Sequence, residues 1–193
     1  LFEGIFDVLK NLQGRLFRSV TTNGLLLDDP ITYKAFLKSH PDKVHISIHD
    51  PENQDEIDQV LRQVLRLDAD GITSGINLLV HRSSREAAAA AVGRIHQVGI
   101  NQKRVIYIPR HGEDSPGPEQ VASMAGEGPF QSISCLMGCK IKSDFCAIGW
   151  DRKVGWCSYT SSRREIKDLT ATGLEQALED LPLDHCQTQL PRH

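Results

Sequence analysis

Five cysteines, all in the last third of the chain, are the residues whose chemistry stands out: Cys135, Cys139, Cys146, Cys157 and Cys186. An odd number leaves one over in any all-disulfide scheme, and no basic-then-apolar leader opens the chain. Thiols so gathered, in a chain with a cytoplasmic address, read as metal ligands rather than cross-links. Cys146 and Cys157 bracket two short apolar segments, 147–150 and 154–156, separated by a polar turn. A hairpin there would bring two thiolates together from its ends. A capping box at Thr172 and Glu175 opens a helix over Leu174, Ala177, Leu178 and Leu181, and Pro182 ends it just before Cys186. The set is completed by Cys139, with Cys135 as the other choice. Four thiolates suit an iron–sulfur cluster. A zinc site satisfies the same count, although paired Cys-x2-Cys knuckles are absent.

What must position such a module is a run of β–α units upstream. Strands are expected over 16–21, 44–49, 72–80 and 105–108, beginning about thirty residues apart, the length of one βαβ crossover. Between them lie a helix capped at Asp29-Pro30, one opened by Pro51 with Ile57, Val60, Leu61, Val64 and Leu67 on a face, and one capped by Ser83 with Glu86. An amphipathic helix with Phe2, Ile5, Phe6, Leu9 and Leu12 precedes the first strand and reads as cut at its N-terminus. The sheet should be parallel, either open and doubly wound or part of a barrel. Loop-forming residues at 111–130, with one short helix near Val121–Met124, mark a linker between a βα domain over 1–110 and the cysteine-rich module over 131–193.

The 193 residues carry a formal net charge of −3, so no general polyanion surface is implied and no nucleic-acid partner is expected. Residues 131–164 hold six basic side chains against Asp144 and Asp151, a local excess of positive charge. No apolar run approaches the roughly 18 residues of a membrane span, and no membrane partner is expected.

The period of two in Val44–Asp50 puts His45, Ser47 and His49 on one strand face and Val44, Ile46 and Ile48 on the other. Three polar residues in a row suit a cavity for a polar ligand. Thr22 and Asn23 end a parallel strand, where βα folds present binding groups, although Asn-Gly also forms turns unaided. Asn77, a lone amide in an apolar strand, needs a partner when buried. Tyr107 ends the fourth strand, suited to core packing or to stacking on a ring. Trp150 and Trp156, beside the hairpin, suit packing of a small module.

These landmarks resemble the radical S-adenosylmethionine (AdoMet) superfamily without its first third. Val20-Thr-Thr-Asn-Gly24 resembles the end of that family's third barrel strand, and Val44-His-Ile-Ser-Ile-His-Asp50 its fourth. The resemblance implies an α/β fold: a partial βα barrel of parallel strands, N-terminally truncated, with a small C-terminal Cys-rich hairpin and helix module. Cys146-x10-Cys157 is similar to the opening of the auxiliary-cluster extensions called SPASM or twitch domains, in the shorter twitch-like version, since Gln187, Thr188 and Gln189 stand where further cysteines would follow Cys186. Arg152 stands where those hairpins have a turn glycine, which predicts a different loop there.

The resemblance implies an enzyme that, complete, cleaves AdoMet at a [4Fe-4S] cluster and abstracts hydrogen from a small-molecule or peptide substrate, with an electron donor as partner. Thr22, Asn23, Ser47, His49, Asn77 and Tyr107 would contact AdoMet. Cys139, Cys146, Cys157 and Cys186 would hold an auxiliary cluster. The Cys-x3-Cys-x2-Cys motif that binds the cleaving cluster is absent, since nothing before Cys135 is a cysteine. The alternative is a non-catalytic zinc- or iron–sulfur-binding interaction module.

Overall fold

The computed structural model describes residues 4–110, 112–126, 145–158 and 160–182. The chain divides into two compact units, Leu1–Gln131 and Ser132–His193.

In the first unit four strands, β1 (Ser19–Thr22), β2 (Lys43–Ile48), β3 (Ser74–Val80) and β4 (Val105–Pro109), form a parallel sheet in the order β1-β2-β3-β4. Consecutive order without reversal gives no topological switch point, and right-handed crossovers then place the connecting helices on one face. Burial agrees. Val44, Ile46 and Ile48 are fully buried, and register aligns Ile46 with Ile76, Ile48 with Leu78, and Leu78 with Tyr107.

Against this row pack α2 (Pro30–Lys38), α3 (Gln54–Ala69), α4 (Arg85–Gln97) and α5 (Pro118–Ala125). In α3 the apolar positions Ile57, Val60, Leu61, Val64 and Leu67 are all buried, as their helical spacing requires. The helix α1 (Ile5–Asn11) sets Phe6 edge-on to Phe36 of α2, centroids 6.2 Å apart. Helix α5, inside the stretch read as a linker, buries Val121 and Ala125 in the same core.

Several local readings are corrected. The first strand begins at Ser19, not Leu16, because Arg18 turns inward: its side chain bonds both Asp42 carboxylate oxygens (2.8 and 3.1 Å) and the Leu9 carbonyl (2.7 Å), leaving Leu16 and Phe17 exposed. Helix α3 is capped by Asn53 rather than opened by Pro51. The Asn53 side chain accepts from the Asp55 and Glu56 amides. Ser83 makes no capping box. Its amide and hydroxyl donate to Asp114 across 31 residues of sequence (2.9 and 2.7 Å).

The second unit has three short antiparallel strands, β5 (Ala147–Ile148), β6 (Lys153–Gly155) and β7 (Arg164–Glu165), and one described helix, α6 (Ala171–Leu178). Thr170 caps α6, two residues before the expected cap, by accepting from the Gly173 amide (3.1 Å). Val154, Ile166 and Ala177 form its core, with Cys146, Leu174 and Leu178 packed alongside. Trp156 packs as expected and donates its indole N–H to the Leu181 carbonyl (3.0 Å). Trp150 does not: it is 99% exposed at the hairpin tip. Arg152 at the tip nonetheless takes the left-handed conformation, φ +60, and donates its amide to the Gly149 carbonyl (3.0 Å), so the loop keeps the positive φ that was expected to be avoided there.

Candidate ligand cleft

The site forms where β1 and β2 end. At the exit of β1 the chain turns on Thr22, whose Oγ1 accepts the Gly24 amide, and on Asn23, whose Oδ1 accepts the Leu25 amide, both at 3.2 Å. Gly24 sits at φ +78 against the Ile46 and Gln63 side chains, so no larger residue fits the turn. At the exit of β2 the backbone amides of His49 and Asp50 donate to the two oxygens of Glu56 (2.9 Å each), and His49 Nδ1 lies 3.2 Å from Oε1.

A cleft of about 510 Å³ lies among these residues, lined by Ile5, Val20, Thr21, Thr22, Asn23, Ser47 and His49. That volume falls within the range of roughly 300–1,000 Å³ of small-molecule sites. Ser47 is the register partner of Asn77 on β3, on the sheet face opposite the helices. Asn77 is only 7% exposed. Four of the predicted residues thus line one cleft, and a fifth adjoins it through Ser47.

Tyr107 is not brought to this face. It is fully buried in the helix-facing row, and burial pushes its hydroxyl pKa up. His45 shares the face of Ser47 with its ring against Gly75, where a Cβ would lie 2.8 Å from Nε2. Burial, then the charges of Lys43 and Arg104, lower its pKa to about 4, so its buried, unpartnered Nε2 belongs to a neutral ring at ordinary pH. Sequence reasoning passed over Thr21 and Ile5 as lining residues. The alternation that singled out Ser47 extends to Thr21 only through the pairing of Thr21 with His45.

A second hollow of about 650 Å³ shares Asn23 and His49 with the first and adds Asp28, Asp55, Glu56, Asp58 and Arg62.

Of the predicted metal ligands, Cys146 and Cys157 are half-buried free thiols. The pairing of Ala147 with Gly155 sets them just beyond the open end of the β5–β6 hairpin. Cys139 and Cys186, and the alternative Cys135, lie outside the described residues. Among the described residues no three His, Cys, Asp or Glu side chains gather as a metal site, and no helix is long and apolar enough to cross a membrane.

No family model and no curated protein matches the chain. A solved structure does: native anSMEcpe with bound AdoMet and Kp18Cys peptide, at a TM-score of 0.57 and 15% identity, over 90% of this chain and 62% of that one. The chain thus spans less than two thirds of that structure's length. At such identity the likeness is one of fold alone, and it is the fold of a protein that binds AdoMet and a peptide.

Proposed function

We propose that the first unit is the AdoMet-binding part of a radical AdoMet-type enzyme, its sheet a segment of a partial βα barrel, and that AdoMet lodges in the cleft at the ends of β1 and β2. The observation that carries this reading is convergence: Thr22, Asn23, Ser47 and His49, taken from two separated passages, line one cleft. The shared fold with an AdoMet-bound protein supports it. The donor set suits such a ligand: the Thr22, Asn23, Ser47 and His49 side chains line the cleft, and Asn77 adjoins it as the register partner of Ser47. Ser47 and Asn77 would face the ribose or methionine portion, and Asn23 the amino group. AdoMet supplies a sulfonium whose reductive cleavage yields a carbon radical. The chain's own residues would orient it against the sheet face.

The cleaving cluster does not fit this chain, which has no cysteine before Cys135, so no cleavage step is derived from its residues. In the second unit Cys139, Cys146, Cys157 and Cys186 would hold the auxiliary cluster, whose thiolate donors suit iron–sulfur. A peptide or small-molecule substrate and an electron donor belong to the same reading.

Calorimetry with AdoMet tests the cleft. Saturable binding is expected, weakened about tenfold by Asn77→Ala, the ordinary effect of one lost buried hydrogen bond. No saturable binding by the folded chain would overturn the reading.

A further inference from the structure

Helix α3 carries three polar side chains, Glu56, Gln59 and Gln63, within roughly 60° of one another around its axis, beside its buried apolar row. Gln63 is 2% exposed, and among the described residues it is the one amide or charged side chain that a helix buries. Its Nε2 donates both hydrogens to the chain leaving β1: one to the Gly24 carbonyl (2.9 Å), the other to Asp28 Oδ1 (2.8 Å). Gln59 adds a bond to Asp28 Oδ2 (2.7 Å). Both partners of Nε2 are acceptors, so the two ends of the amide cannot be exchanged. Oε1 is thereby left buried without a partner, pressed against Gly24. An apolar side chain of equal length would avoid that cost, so packing does not account for a glutamine here. Two turns earlier on the same stripe, Glu56 holds the exit of β2, its oxygens accepting the His49 and Asp50 amides (2.9 Å each). One helix thus holds both lips of the cleft, Thr22 and Asn23 on one and His49 on the other. The exits of β3 and β4 are joined instead by loop residues, Ser83 to Asp114 and Arg82 to the Ser115 carbonyl (3.0 Å).

We propose that Gln63 is a positioning residue of the cleft. It touches no ligand itself. Its amide fixes the turn at Thr22, Asn23 and Gly24 from behind, so that the Thr22 and Asn23 side chains are already in place when a ligand arrives. Groups ordered beforehand spare the ligand the entropy of ordering them. The consequence for affinity rests on the reading of the cleft as an AdoMet site, whereas the bracing of the turn stands without it. The turn needs such a brace because Asn23 is exposed and its own bond, from Oδ1 to the Leu25 amide (3.2 Å), is a local one. Gly24, at φ +78, adds no side chain that could anchor the turn.

Gln63→Met keeps the length and removes both donors. In the ligand-free full chain, hydrogen exchange should show the Gly24 and Leu25 amides about tenfold less protected in this variant, the effect of one lost buried hydrogen bond. The His49 and Asp50 amides and the urea midpoint should stay as in wild type. Glu56→Ala should do the converse, baring the His49 and Asp50 amides and sparing Gly24 and Leu25. AdoMet should bind Gln63→Met about tenfold more weakly. In the wild-type chain the Gln63 side-chain hydrogens should themselves exchange slowly, a measurement that needs no variant to fold. Fast exchange of those hydrogens, or unchanged protection at Gly24 and Leu25, would overturn the brace. A lowered urea midpoint with AdoMet affinity unaltered would make Gln63 merely structural and overturn its positioning role. Absence of AdoMet binding by the wild-type chain falls on the ligand reading, whereas wild-type binding that Gln63→Met leaves intact falls on Gln63 alone.

Discussion

In the first unit, apolar residues from four strands and their covering helices fill a continuous core. In the second, the apolar cluster among the described residues is built on Val154, Ile166 and Ala177 alone. Strand length follows the same division: β2 and β3 run six and seven residues, while β5 and β7 run two each. Hydrophobic burial scales with chain length, and modules this small usually add a cross-link or a metal to hold shape. On the reading proposed above, a bound centre at the cysteines would complete the second unit, whereas the first needs none. This contrast gives the two thiols at the hairpin's open end a reason to be there beyond packing.

The contrast breaks most sharply on metal removal. In anaerobically reconstituted protein, a chelator should strip hydrogen-exchange protection from Lys153–Gly155 and Ala171–Leu178 by about 100-fold or more, since structural metal sites contribute on the order of 10 kcal/mol to folding. Amides of β2 and β3 should keep theirs. Equal protection with and without chelator would mean that the second unit stands on its small core.

Acid should do the reverse and loosen the first unit. The His45 pKa is about 4 in the fold, lowered by burial and by Lys43 and Arg104, against 6.5 for an ordinary histidine. Between those values the unfolded chain binds the proton and the folded chain does not, so stability falls as pH drops from 6.5 toward 4. The loss is about 3 kcal/mol. The described part of the second unit has no histidine, and its lowered carboxylate, Asp151, is held there first by the Lys153 amide and gives way only below the ordinary carboxylate range. Urea titrations from pH 7 to 4.5 should show the slope in the wild-type first unit and not in His45→Gln. A flat profile would show that the ring is accommodated when charged.

How much of this was written in the sequence follows from the range of the forces involved. Period-two alternation over 44–49 is a local signal, and burial follows it except at His45, which is buried on the polar face. Ser83 and Thr172 went astray for different reasons. Ser83 was drawn to Asp114, a tertiary partner invisible to any local pattern, and α6 simply began two residues earlier. Tyr107 shows a third limit. Where every residue of a strand is apolar, as in Val105–Ile108, alternation does not say which half faces the helices; pairing of Leu78 with Tyr107 decided it. The convergence of Asn23 and His49 on shared hollows also needed the register of β1 on β2, although each residue was visible by itself.

Arg152 sharpens the comparison at its smallest scale. In the first unit the left-handed turn at Gly24 is made by the residue type that suits it, because Ile46 and Gln63 leave no space for a side chain. At the hairpin tip of the second unit Arg152 takes φ +60 with a Cβ in place. The turn survives because the Gly149 carbonyl accepts the Arg152 amide, the Lys153 carbonyl accepts the Gly149 amide, and Asp151 Oδ1 accepts the Lys153 amide at 3.2 Å. Those bonds use backbone and Asp151 alone, so Arg152→Gly should keep them and relieve the strain. A net gain of about 0.5–1 kcal/mol is expected, the left-handed penalty less the added freedom of glycine when unfolded. The gain should appear as slower exchange of the β5–β6 amides, with the first unit unchanged. If the substitution instead loosens the hairpin, the arginine side chain itself must be holding the tip, and the tolerance for a strained residue there would have to be explained by what that side chain binds.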